Sequence, residues 1–157
     1  KLSSMEGLEQ CYTIKGNTVT WSKKECTGWR LPTESEWEYA ARCFESYKYA
    51  GSNSVGDVAW SRSNSDSKTH DVCGKNRNGY GLCDMSGNVW EWVWDYYGAY
   101  SSDLVVNPTG ISSASARVFR GGSWYSYPNS LRSAERSNLT PSDRGSSIGF
   151  RLSRISP

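Results

Sequence analysis

The chain has 157 residues and a formal net charge of +2, which is enough length for one compact domain and too little for two of comfortable size. Lys and Arg are spread along the sequence, and no apolar run approaches the ~20 residues of a membrane span, so we expect neither nucleic-acid binding nor direct insertion into a membrane. Eight Trp, ten Tyr and 15 Gly predict a single domain over residues 1–157, with an aromatic core and long ordered loops.

Five cysteines are an odd number, so at least one is unpaired within the chain. Cys11 and Cys26 flank a predicted hairpin, and Cys73 and Cys83 bracket a turn-rich loop, which makes two disulfides possible. Free buried thiols are the alternative for each of them and for Cys43. The sequence contains a single histidine and no CxxC pair, so it offers no zinc site of ordinary spacing.

The first predicted elements are a hairpin and a helix. Residues 11–21 (CYTIKGNTVTW) form two β-rich runs around the turn signal Gly16-Asn17. Thr33 and Glu36 then have the spacing of a capping box, and an apolar stripe follows at helical spacing. We therefore predict a helix over residues 34–42, followed by a long structured loop over residues 45–80.

The second half of the chain predicts strands. Residues 87–95 (GNVWEWVWD) alternate strictly, and we expect the face carrying Trp90, Trp92 and Trp94 to be the buried one. Further strands are expected over residues 117–120, 131–136 and 148–152.

Five motifs occur in an order that is familiar from one protein family: WRLPTESEWEYAAR (29–42), GLCDMSGNVWEWVWD (81–95), RVFRGGSW (117–124), LRSAER (131–136) and IGFRL (148–152). Together they resemble the formylglycine-generating enzymes, or sulfatase-modifying factors. The resemblance implies an α+β fold of the C-type-lectin-like kind, with a small antiparallel sheet, few helices and much irregular chain. It covers only the later part of a full family domain, whose N-terminal strands are absent here.

The same resemblance implies how active members work. They are copper oxidases that use two cysteine thiolates just after the GGS-aromatic motif, since thiolates suit Cu(I). Here that segment is GGSWYSYPNSLRSAER, and no cysteine follows Cys83. The sulfoxide synthases of the family hold iron with several histidines, which this chain lacks. We therefore expect no enzyme activity, no catalytic cofactor and no copper.

A set of thirteen positions in the C-terminal part has the composition of an antibody paratope, in which Tyr supplies contact area and small polar residues supply hydrogen bonds. No Lys, Gln, Met or Trp occurs between residues 125 and 147. This pattern resembles proteins diversified by retroelements, whose mutagenised Asn-type codons cannot encode Lys, Glu, Gln, Met or Trp. Within a variable region over residues 117–152, the predicted ligand-binding positions are Tyr125, Ser126, Tyr127, Asn129, Ser130, Ser137, Asn138, Leu139, Thr140, Asp143, Gly145, Ser146 and Ser147.

If these positions vary, they must be at least partly exposed and lie together, while Leu131, Ala134, Ile148 and Phe150 should be buried beneath them. The alternative is an inactive family member with a solvated, Ser-rich loop.

The resemblance also implies a calcium site. Asp84, Gly87, Val89 and Glu91 match a calcium-binding segment of the family, and carboxylates with backbone carbonyls around a tight turn suit a hard cation. The alternative is that Asp84 caps the turn and Glu91 pairs with a nearby arginine.

These observations favour a non-catalytic, monomeric binding protein that recognises a protein or glycan ligand. We expect it at a bacterial cell surface as a lipoprotein, or otherwise outside the cell, with a phage tail as the alternative location. The alternative functions are a residual oxidase and a structural domain that docks a partner; the latter predicts a large exposed apolar patch.

Overall fold

The computed structural model describes residues 1–22 and 25–155, and it shows the predicted α+β fold with short elements and much irregular chain. In chain order the elements are α1 (Leu2–Met5), β1 (Tyr12–Lys15), β2 (Thr18–Trp21), α2 (Glu34–Arg42), α3 (Val55–Val58), β3 (Trp90–Tyr96), β4 (Arg117–Arg120), a 3₁₀ helix (Pro128–Leu131), β5 (Arg136–Leu139) and β6 (Ile148–Phe150). None of the helices in these ranges is long and apolar enough to cross a membrane.

Contacts group the chain into two compact units, and the first consists of Lys1–Pro32 with Arg151–Pro157. Its β1–β2 hairpin pairs Tyr12 with Trp21 and turns at Gly16, which has a φ of 58°. A Cys11–Cys26 disulfide closes this hairpin region. The predicted hairpin is therefore confirmed, because the turn residue supplies the left-handed conformation that a tight turn needs.

The second unit, Thr33–Phe150, contains a four-stranded sheet in the order β5-β4-β3-β6. The β3–β4 and β4–β5 pairs are antiparallel, and β3–β6 is parallel. The strands β5 and β6 thus lie at opposite edges, so residues 140–147 connect one edge of the sheet to the other.

Helix α2 has the predicted bounds. The Thr33 hydroxyl accepts the Glu36 backbone N–H at 3.2 Å, and the Glu36 carboxylate accepts the Thr33 N–H at 2.8 Å, so the capping box is complete. The helix ends at Arg42, and the residue that caps it, Cys43, has a left-handed φ of 49°. Trp37 and Ala41 are buried and pack into the core of the second unit.

The prediction for the tryptophan face of β3 is wrong. The buried face carries Glu91, Val93 and Asp95, whereas the three tryptophans are half-buried on the other side. The Trp37 indole N–H donates to Glu91 at 2.6 Å and the Glu34 backbone N–H donates to Asp95 at 2.8 Å, so both acids have partners inside. Burial raises the pKa of Asp95 to about 6. Alternation with a period of two shows which residues share a face of a strand, but it does not show which face is buried. Here α2 packs against the face that carries Glu91 and Asp95.

The strand predicted over residues 131–136 is also displaced. Residues 128–131 form the 3₁₀ helix, with Pro128 in its first turn, and the strand begins only at Arg136. Leu131 is buried as expected, but Ala134 is exposed, Ile148 is half-buried and Phe150 is 64% exposed. Phe150 pairs with Trp92, so it lies on the face of the sheet that α2 does not cover, and its side chain reaches solvent.

Candidate functional site

The segment that leads into the predicted binding positions is a close-packed glycine turn. Gly121 and Gly122 are buried with positive φ of 92° and 74°. A Cβ at Gly122 would lie 2.5 Å from the Leu131 side chain and 2.6 Å from the Ser130 carbonyl oxygen. Only glycine fits this conformation and this space, so the turn fixes the point at which the chain reaches the surface.

Two tyrosines leave this turn and lie beside an arginine from a distant part of the sequence. Tyr125 is 56% and Tyr127 is 64% exposed. The Arg62 guanidinium carbon is 4.4 Å from the Tyr125 ring centroid and 5.0 Å from the Tyr127 ring centroid. A hydrogen bond with Tyr125 raises the pKa of Arg62. We call Arg62, Tyr125 and Tyr127 the Arg62 cluster. No local pattern predicts it, because Arg62 is remote from the two tyrosines in the chain.

The backbone between the 3₁₀ helix and β5 is held from below by a single buried arginine. Arg120 is 0% exposed, and its guanidinium donates to the carbonyl oxygens of Ser133, at 3.1 Å, and Glu135. The same guanidinium forms ion pairs with Glu34, at 3.5 Å, and Glu38 of α2. Arg120 thus ties the helix to the middle of the predicted variable region.

A second arginine repeats this link at the start of β5. Arg136 donates to both carboxylate oxygens of Glu34, at 2.8 and 2.6 Å, and to the Gly98 carbonyl oxygen at 2.7 Å. The Tyr100 hydroxyl donates to the same carboxylate at 3.0 Å. Glu34 therefore accepts hydrogen bonds from Arg136 and Tyr100 and also forms the ion pair with Arg120. Its position in the first turn of a predicted helix gave no sign of this role.

None of the thirteen predicted binding positions is buried. Seven are exposed and six are half-buried: Tyr125, Tyr127, Asn129, Thr140, Asp143, Gly145 and Ser146 belong to the first group, and Ser126, Ser130, Ser137, Asn138, Leu139 and Ser147 to the second. The exposure expected of them is thus present throughout, while their role in binding stays a prediction.

The structure brings some of these positions together around Trp124. The Trp124 indole N–H donates to the Ser146 carbonyl oxygen at 3.3 Å, and its ring meets Tyr125 edge-on with centroids 5.5 Å apart. Ser146 and Tyr125, 21 positions apart in the sequence, therefore flank one tryptophan. Tyr127 joins them through Arg62.

Other positions do not join this patch, so the expectation of a single surface is only partly met. Asn138 pairs with Val118, on the side of the sheet that faces α2, whereas Ser137 and Leu139 point to the opposite side. Three consecutive strand residues cannot share a face. The Ser126 hydroxyl accepts the Ser123 backbone N–H at 2.9 Å, which gives Ser126 a structural role in the turn as well.

The predicted calcium ligands have donor chemistry that fits a hard cation in part. The Oδ1 atom of Asp84 is buried and has no hydrogen-bond partner among the described residues, while Oδ2 accepts the Cys73 backbone N–H at 2.7 Å. Such an unpartnered carboxylate oxygen is costly unless a cation binds it. One Glu91 oxygen is occupied by Trp37, and Gly87 occupies a turn with a φ of 84°. Asp84 is thus the strongest member of the predicted set.

The cysteines supply no thiolate pair. Cys73 and Cys83 form a disulfide, as do Cys11 and Cys26, and Cys43 is the one free cysteine. Cys43 is buried, and this burial raises the pKa of its thiol, which disfavours the thiolate needed for soft-metal binding or redox chemistry.

Comparison with known proteins identifies the family to which the chain is similar. Residues 9–155 match the model described as the sulfatase-modifying factor enzyme 1-like domain. The formylglycine-generating enzyme of Streptomyces coelicolor is 37% identical over 144 residues, which cover 79% of this chain and 46% of that protein. The serine/threonine-protein kinase pkn1 of Chlamydia pneumoniae is also 37% identical over 145 residues, covering 87% of this chain and 23% of that protein.

Among solved structures, Treponema denticola variable protein 1 superposes with a TM-score of 0.89 at 37% identity. The match covers 96% of this chain and 64% of that one. These similarities confirm the resemblance and the fold class predicted from the motifs. The chain spans about half or less of the curated relatives named above.

The buried arginine generates a stability prediction. Arg120→Gln should lower the free energy of unfolding by about 3–5 kcal/mol, because it removes the ion pairs with Glu38 and Glu34 and the donors to two backbone carbonyls. The matched control is Arg132→Gln, whose ion pair with Glu135 is exposed and should contribute less than about 1 kcal/mol. Chemical denaturation measures both. Equal, small losses in the two variants would contradict the anchoring role of Arg120.

Proposed function

Because the chain belongs to the family of sulfatase-modifying factor enzyme 1-like domains, we propose that it uses this family's scaffold to bind ligands through a diversified surface and does not catalyse a reaction. One observation carries the proposal: the thirteen positions of paratope-like composition are all exposed or half-buried, while Leu131 and Ser133 between them are buried.

The residues argue against the oxidase chemistry of the family. The segment after the GGS-aromatic motif has no cysteine, and the free cysteine that the structure describes, Cys43, is buried with a raised pKa. A copper site of two thiolates cannot be assembled from this set, since the other four cysteines are paired in disulfides.

The similarity to a protein named as a variable protein supports the binding proposal. Diversification needs positions that tolerate many side chains, and an exposed position usually changes stability by no more than about 0.5 kcal/mol on substitution. The codon-restricted composition of residues 125–147 fits the same idea, with Glu135 as a framework residue. Its carboxylate pairs with Arg132 and its carbonyl accepts from Arg120.

The ligand and location follow as proposals from this function. Diversified binders meet variable targets, which lie mostly outside the cell. We infer a protein or glycan ligand met at a bacterial cell surface, where the protein is a lipoprotein, or at a phage tail. Binding by a monomer needs no further subunit, because the thirteen positions belong to one chain.

The test of function is a displayed library of this chain randomised at the thirteen positions and selected on a protein such as hen egg lysozyme. We expect the library to display at a level close to the parent and to yield specific binders. The control is a selected clone in which the thirteen positions are restored to the parental residues, which should lose binding. Binding that survives this restoration, or a library that fails to fold, would contradict the proposal.

The alternative function, a residual oxidase, is tested by an oxidation assay on the same protein. With added copper and a cysteine-containing peptide, the chain should show no turnover above the copper-only background, under conditions in which the Streptomyces coelicolor formylglycine-generating enzyme is active. Copper-dependent oxidation of the peptide would overturn the proposal that the chain is not an enzyme.

Calcium is the cofactor we propose for the segment of Asp84, Gly87, Val89 and Glu91, with a structural role. At a concentration of 100 times Kd, a bound ion stabilises the folded state by about 2.7 kcal/mol, so calcium should raise Tm by several degrees relative to EDTA. Asp84→Asn should remove this rise, and Asp103→Asn, an exposed acid in a loop, should keep it. A Tm that does not respond to calcium would rule the site out.

A further inference from the structure

The Arg62 cluster carries an inference about what the binding surface recognises. Arg62 lies outside the predicted variable region, yet its backbone N–H donates to the Ser126 carbonyl oxygen at 3.1 Å. Three residues later, the Ser65 hydroxyl donates to the Trp124 carbonyl oxygen at 2.8 Å. Ser61 and Ser65 are buried, so the short turn that carries Arg62 is fixed directly against the base of the two tyrosines.

The guanidinium of Arg62 is exposed and has no acidic partner. Arg42, Arg120, Arg132 and Arg136 each form an ion pair, whereas no carboxylate of the described residues lies within 4.0 Å of Arg62. Its neighbours are aromatic: the guanidinium carbon lies 4.4 Å from the Tyr125 ring centroid and 5.0 Å from the Tyr127 ring centroid. A guanidinium held between rings keeps its charge and part of its planar fork of N–H donors available.

We propose that Arg62 is a constant cationic anchor of the binding surface, which receives a carboxylate from an acidic side chain of a protein ligand. The planar guanidinium matches a carboxylate in bidentate geometry, and a charge-assisted hydrogen bond of this kind is about twice as strong as a neutral one. The tyrosines then supply contact area around the ion pair. The inference rests on the proposed function, because it assumes that the surface around Tyr125 and Tyr127 meets a ligand.

A purely structural role for Arg62, holding the tyrosine rings in place, makes a different prediction. It requires no preference for a carboxylate over a neutral group of the same shape. The anchoring role requires such a preference, and it requires an arginine, because lysine keeps the charge but lacks the bidentate fork.

The first experiment titrates the isotope-labelled chain with N-acetyl-L-glutamate amide and follows the arginine Nε–Hε signals by NMR. The Arg62 signal, assigned by its loss in Arg62→Gln, should shift and saturate, whereas the neutral glutamine analogue at equal ionic strength should leave it in place. Arg77 is the matched internal control, since it is an exposed arginine that donates to the Gly81 carbonyl oxygen, and its signal should stay unchanged. No saturable shift, or an equal shift at Arg77, would overturn the proposal.

The second experiment uses lysozyme-binding clones of the displayed library that retain Tyr125 and Tyr127. Arg62→Gln should weaken their binding by about tenfold or more, Arg62→Lys should weaken it less, and Arg77→Gln should have no effect. Unchanged affinity in Arg62→Gln would overturn the anchor while leaving the proposed function in place. If no clone binds while the glutamate titration succeeds, the proposed function fails and the carboxylate site stands. The two hypotheses are therefore separated.

Discussion

The attachment of α2 to the chain between the 3₁₀ helix and β5 depends on one buried cation, the guanidinium of Arg120. Arg120 has no exposed side-chain surface, and it joins two glutamates of α2 to two backbone carbonyls in the stretch between the 3₁₀ helix and β5. A buried guanidinium is costly unless its charge is paired, and removing one partner of a buried ion pair is strongly destabilising, so these partners must stay in place for the protein to fold. The consequence is that residues 131–136 have a fixed backbone although predicted binding positions flank them on both sides.

This constraint separates the scaffold from the surface. Leu131, Ser133 and the glycine turn are buried, while the positions before and after them reach solvent. A domain with a free energy of unfolding of about 5–15 kcal/mol cannot accept many substitutions that cost 1–3 kcal/mol each, but it can accept many that cost less than about 0.5. The separation is incomplete at two positions. The Ser126 side chain supports the turn through a hydrogen bond, and Asn138 lies on the side of the edge strand that faces the helix.

Local signals in the sequence predicted local structure well. The capping residues gave the bounds of α2, the Gly16 turn gave the hairpin, and the motifs gave the fold class. What they could not predict depends on long-range contacts. Alternation in β3 defined two faces, but the choice between them depended on Glu91 and Asp95 finding partners on α2. The same applies to Arg62, which meets Tyr125 only because hydrogen bonds between remote turns bring the two segments together.

The central claim is that a fixed scaffold carries a surface under directed variation. It is tested most directly by sequencing the gene segment for residues 117–152 from many individual cells of one source population. The account predicts amino-acid differences concentrated at the thirteen positions, without Lys, Glu, Gln, Met or Trp among the new residues, and constant codons for Arg120, Leu131 and Ser133. Differences spread evenly over the segment, or lysine arising at the thirteen positions, would contradict it.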